Sequence, residues 1–114
     1  MKADLELFDV VELLVDLPEH HLRIGARGAI VHCYPDDTYD VEFTDEEGKT
    51  LALCPLSPQR FIVVWQARTR TWVPIAEQVA ALVAHLPERA EQEVLDFARF
   101  LHARQAPLGE IPTT

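Results

Sequence analysis

A mainly β protein with an added α part is the fold class this sequence predicts: a five-stranded SH3-like small barrel followed by a C-terminal helical hairpin. Three observations carry that expectation. Five short segments rich in β-branched and aromatic residues lie before residue 66, with turn residues between them. Residues 38–44 (TYDVEFT) alternate cleanly, with Tyr39, Val41 and Phe43 on one side and Asp40, Glu42 and Thr44 on the other. Beyond residue 74 the apolar period changes from two to that of a helix, in two segments that each begin near a proline.

The first strand is placed at 8–14, around Val10 and Val11, and Asp16-Leu17-Pro18-Glu19 ends it as a turn. A long polar loop over 16–27 closes on Gly25 and Gly28, one of which is expected to adopt a positive φ or to allow a close backbone approach. Residues 28–34 (GAIVHCY) form the second strand and 38–44 the third. Asp45-Glu46-Glu47-Gly48 then makes a hairpin loop. Residues 49–54 (KTLALC) return with Leu51 and Leu53 expected on the buried side, and residues 60–65 (RFIVVW) complete the set. Closing such strands into a barrel removes free sheet edges.

Residues 67–73 read as a linker with Trp72 as an anchor, 74–104 as the helical hairpin and 105–114 as a flexible tail; the barrel occupies 1–66. In the first helix Ile75, Val79, Leu82 and Leu86 fall on one stripe, with Ala76, Ala80 and Ala84 opposite. In the second, Ala90, Val94, Phe97, Ala98 and Leu101 form the stripe, flanked by Leu95 and Phe100. About 30 helical residues are too few to fold alone, so their apolar face is expected to rest on the barrel, a second copy or a partner.

The formal net charge is −9, and residues 1–65 hold 13 acids against 5 bases. That surface repels phosphate backbones, so a nucleic-acid partner is not expected, whereas a basic protein is easily accommodated. No apolar run approaches the about 20 residues that cross a bilayer, and the first residues lack the apolar stretch of a secretory signal, so a cytoplasmic location without membrane contact is expected. Cys33 and Cys54 are too few for a disulfide framework and read as buried free thiols.

No catalytic, cofactor-binding or metal-binding set emerges, and the chain is not expected to be an enzyme. His20, His21, His32 and Cys33 lack the paired spacing of a zinc site. Ser57, the only serine, lies in a turn between Pro55 and Pro58, and no Ser/His/Asp or Cys/His arrangement can be assembled. Asp36, Asp37, Asp40 and Glu42 cluster around one hairpin and suit the capture of a basic partner. With Trp72, Leu95 and Phe100 they make up the expected partner-binding residues.

Two resemblances add to this reading. Leu7-Phe8-Asp9-Val10-Val11, Asp16-Leu17-Pro18-Glu19, Gly25 to Val31 and Tyr39 to Phe43 resemble domain-of-unknown-function family 4926, small bacterial SH3-like barrels, over about residues 5–65. That resemblance implies the barrel fold and no established biochemistry. Leu86-Pro87-Glu88, Glu93-Val94-Leu95-Asp96-Phe97 and Phe100-Leu101 are similar to family 2281, antitoxin-like helical segments paired with small nucleases. The expected function is therefore a non-enzymatic protein-binding module, antitoxin- or immunity-like, that neutralises a small basic toxin such as an RNase. The alternative is an adaptor or assembly subunit that oligomerises, or joins a larger complex, through its helices.

Overall fold

The computed structural model describes residues 5–105. Its strands are β1 (Val10–Leu13), β2 (Arg27–Cys33), β3 (Tyr39–Thr44), β4 (Thr50–Leu56), β5 (Phe61–Gln66) and β6 (Thr71–Trp72), followed by helices α1 (Ile75–Val83) and α2 (Glu88–Arg104). Short 3₁₀ turns at Pro18–His20 and Pro58–Arg60 join β1 to β2 and β4 to β5. The chain divides into two units, Met1–Ala81 and Leu82–Thr114.

All six strands belong to one antiparallel sheet in the order β4-β3-β2-β1-β5-β6. The expected five-stranded closed barrel is thus corrected to a six-stranded open sheet, with β4 and β6 as its edges. The expected linker 67–73 contains the sixth strand, where Trp72 pairs with Trp65 and Val73 N–H donates to the Val64 carbonyl at 2.9 Å. The tail from 106 onward lies outside the described residues.

Although open, the sheet curls. Tyr39 on β3 and Phe61 on β5 are separated by β2 and β1, which in a flat sheet would set their backbones about 14 Å apart. Their ring centroids are 6.2 Å apart and nearly perpendicular. Register shifts at Val10/Val11, Ile30/His32 and Phe43/Thr44 supply the bends. Pro55, which has no N–H to donate, lies on the edge strand β4 where its lack costs no interior ladder bond.

Inside the curl lies the core: Val11, Leu13, Leu17, Leu22, Ile30, Tyr39, Val41, Phe43, Ala52, Cys54, Leu56 and Phe61. The β4 phase is the reverse of the expected one. Ala52, Cys54 and Leu56 face inward, while Leu51 and Leu53 are 59% and 55% exposed. The reason is the Phe43 ring, only 1% exposed, which needs small neighbours on both sides. Ala52 is its register partner on β4. On β2 a Cβ at Gly28 would lie 2.9 Å from the Phe43 ring, 2.7 Å from Val41 and 2.8 Å from the Glu42 carbonyl oxygen. Gly28 is therefore a site of close approach, and the positive φ falls on Gly25 at 92°.

Asp9, 2% exposed, is the buried acid of the sheet. One carboxylate oxygen accepts from Ala67 N–H at 2.8 Å, the other from Glu6 N–H at 3.1 Å. Its own carbonyl accepts from Ile30 N–H at 2.9 Å. The preceding Phe8 has φ 72°, a conformation unusual for an aromatic residue, and its N–H donates to the Ile30 carbonyl at 2.7 Å.

The helices differ in setting from the sheet. No described residue of α1 or α2 is buried. Pro74 and Pro87 each precede a first turn and leave their carbonyls free to accept from Gln78 and Glu91 at 3.0 Å.

Two stability outcomes follow. Gly28→Val should destabilise by about 1–3 kcal/mol through overpacking against backbone and two core side chains, read from urea unfolding; an unchanged midpoint would contradict the close approach. Asp9→Ala should cost about 1–3 kcal/mol by stranding two backbone donors, and Asp9→Asn should cost less because it retains an acceptor. A wild-type unfolding midpoint for Asp9→Ala would contradict the role of these two bonds.

Candidate functional site

The outer face of β3 and β4 brings the expected acids together with side chains the sequence had assigned to the core. Glu42 stands directly opposite Leu53, and Asp40 opposite Pro55, so these side chains share one face. Asp40 and Glu42 are two residues apart on β3, about 7 Å along the strand. Leu51 lies on the same face two residues before Leu53. The result is a carboxylate row beside an exposed apolar strip.

Hydroxyl groups hold these carboxylates. The Tyr34 hydroxyl donates to Asp40 at 2.7 Å and the Thr50 hydroxyl to Glu42 at 2.5 Å. The Asp40 hydrogen bond and charge raise the Tyr34 phenol above its ordinary pKa, and His32 meets the same ring edge-on at 4.3 Å. Asp37, at φ 64° in the β2–β3 turn, accepts from the Tyr39 hydroxyl at 2.7 Å. Burial of that phenol, together with the Asp37 bond, pushes Tyr39 up to about 12. Asp37 thus supports the turn, whereas Asp36 is exposed beside it. Phenols this far from ionisation serve as hydrogen-bond donors and not as bases at neutral pH.

The remaining expected contacts lie elsewhere. Trp72 on β6 is 59% exposed, and the Arg27 guanidinium from β2 lies 5.4 Å from the centre of its ring. Arg27 also pairs with Glu12 at 3.4 Å, so the Trp72 ring is part of a surface network across the outer sheet. On α2, Phe100 stacks on Phe97 with centroids 6.1 Å apart, and the Arg104 guanidinium lies 5.6 Å from its centre. Leu95 is 44% exposed, and on the helical wheel it projects about 100° from Val94, off the apolar stripe. The acidic face and Trp72 are therefore separate features of the sheet, and Leu95 and Phe100 belong to the helical unit.

Cys54 is buried as expected, but Cys33 is exposed, because it is the last residue of β2, beyond the Gly28–Ile30 stretch that faces the core. Burial, and after it the negative charge of Glu19, pushes the Cys54 thiol up. Among the described residues no three His, Cys, Asp or Glu side chains converge in the way a metal ion requires, and no helix is long and apolar enough to cross a membrane.

Two features escaped the sequence reading. Asp9 shares the inward parity of Val11 and Leu13, and an acid in that phase was the available signal. Leu51 and Leu53 gave no such signal, since both phases of that strand are apolar.

Residues 7–63 match the family described as Domain of unknown function (DUF4926). The match covers β1 to β4 and the first half of β5, and the expected similarity of residues 75–104 to family 2281 finds no support in it. No curated protein and no solved structure matches the chain.

A thiol reagent should label Cys33 quickly and Cys54 only on unfolding, giving one fast and one slow equivalent in the native protein. Cys33→Ser should remove the fast phase; two fast phases would place Cys54 outside the core.

Proposed function

The chain belongs to the DUF4926 family, and we propose that it acts as a non-enzymatic protein-binding module that captures a basic partner, in the manner of an antitoxin or immunity protein facing a small basic toxin such as an RNase. The observation that carries this reading is the outer face of β3 and β4, where Asp40 and Glu42 stand beside Leu51 and Leu53. Exposed leucines within reach of fixed carboxylates suit a partner that offers apolar anchors ringed by Lys or Arg. The concentration of charge agrees: 13 acids against 5 bases over residues 1–65 attract a cationic protein at long range and repel nucleic acid. The similarity of Leu86-Pro87-Glu88 and Glu93 to Phe97 to the antitoxin-like family 2281 points the same way. Such a role suits the cytoplasm of a bacterium.

A second reading, an adaptor or assembly subunit acting through the helices, is favoured by one observation: Ile75, Val79, Leu82, Leu95, Phe97 and Phe100 are all more than two-fifths exposed.

The test is calorimetric titration of the purified chain with the product of the gene next to its own, which this reading expects to be a small basic protein. Wild type should bind with an affinity that falls as salt rises, and Asp40→Lys/Glu42→Lys should weaken binding by at least about tenfold, consistent with loss of close charge pairs. Leu53→Glu should also weaken it while leaving the melting temperature near wild type, because Leu53 is exposed. Tight binding that none of these variants alters would overturn the assignment of this face.

A further inference from the structure

From the two edges of the sheet we infer that copies of this chain associate head to tail, with β6 of one copy docked along β4 of the next. The inference rests on reading the outer β3–β4 face as a docking surface, and it gives that face a second copy as its occupant. Its first observation is topological. β4 and β6 are the two ends of one sheet, and a sheet edge presents unpaired N–H and C=O groups to any strand that fits. Exposed apolar side chains stand at both ends, Leu51 and Leu53 on β4 and Trp72 on β6.

The second observation is the segregation of charge, which says what covers each edge. Residues 34–48, which hold β3 and the turns on either side of it, carry seven acids and no base. Residues 60–73, which hold β5, its turn and β6, carry Arg60, Arg68 and Arg70 and no acid. Arg68 and Arg70 are exposed in the β5–β6 turn. The acidic face suits an apolar anchor ringed by bases, and the chain's own β6 offers one. Trp72 follows Arg70 by two residues and has the Arg27 guanidinium 5.4 Å from the centre of its ring.

The complementarity holds in either strand direction. With Trp72 of one copy beside Leu53 of the next, an antiparallel approach sets the arginine turn near the β2–β3 turn and Asp36, because Leu56 at that end of β4 pairs with Tyr39. A parallel approach sets it near the β3–β4 hairpin, with Glu46 and Glu47. Glu42 stands opposite Leu53 and Asp40 opposite Pro55, so both lie about 10 Å, two strand spacings, from a strand laid beyond β4. An arginine and a carboxylate side chain together span that gap. β6 is two residues long and Pro55 withholds a donor from β4, so side chains more than a backbone ladder carry the contact. The net charge of −9 opposes association only weakly at physiological salt, where charges more than about 8 Å apart are screened. The two edges are different surfaces, so the contact does not close at two copies.

The experiment is sedimentation and light scattering of the full chain over a concentration series at physiological salt. Wild type should rise from 12.9 kDa past twice that mass as concentration increases. Arg68→Glu/Arg70→Glu alters only the β6 end and Asp40→Lys/Glu42→Lys only the β4 end. Each should weaken self-association by about tenfold or more, through like charges brought together. Arg68 and Arg70 are exposed, so the first variant should keep the wild-type melting temperature. Mixing the two variants should restore association, since each reversed edge then meets an edge of opposite charge. A wild-type chain that stays monomeric would overturn the inference, and if it still binds the product of the neighbouring gene, the reading of the acidic face as a capture surface stands without it. A mass that stops at twice 12.9 kDa, or association that Arg68→Glu/Arg70→Glu leaves unchanged, would overturn the head-to-tail order.

Discussion

The buried carboxylate of Asp9 is the interaction on which the sheet depends. A six-stranded sheet that does not close must hold its curl by some means other than a continuous ladder. Asp9 ties three places together. Its side chain accepts from Glu6 in the N-terminal turn and from Ala67 just beyond β5, while its carbonyl receives Ile30 of β2. Those bonds span 58 residues of sequence and hold Phe8 at a positive φ that its side chain would otherwise disfavour. An acid so placed is stable only because both of its oxygens are satisfied; in the same position without partners it would cost several kcal/mol.

Around that anchor the core is assembled by matching large against small. Phe43 occupies the space between Gly28 and Ala52, and Tyr39 reaches across the curl to Phe61. This arrangement turns Ala52 and Cys54 inward and sends the bulkier Leu51 and Leu53 outward. The same packing choice thus creates the apolar strip beside Asp40 and Glu42. The surface proposed for partner capture is a by-product of how the Phe43 ring is accommodated, which links the interior of the sheet to its outer chemistry.

The helices follow a different logic. Their apolar side chains are exposed in the single chain, and they lie outside the region that matches DUF4926. Sheet and helices therefore offer two kinds of surface, one strongly acidic with a short apolar strip, the other nearly neutral with an aromatic seam.

Local sequence determined much of this protein. The alternation of Tyr39 to Thr44, Gly48 at φ 85° in its hairpin, and prolines ahead of both helices are all short-range effects, and each was legible because the cause lies within a few residues. Of the candidate surface, the acids of β3 were legible too, since polar residues in a clean alternation must face outward. Tertiary structure alone decided the rest. The phase of β4 could not be read from LALCPL, where both faces are apolar, because it depends on a ring contributed by a neighbouring strand. The sixth strand hides in QARTRTW, a polar segment that pairs because β5 offers it a free edge. Closure or opening of the sheet is set by where register shifts fall and by an acid 58 residues from the backbone N–H that donates to it, and no local pattern encodes a contact of that range.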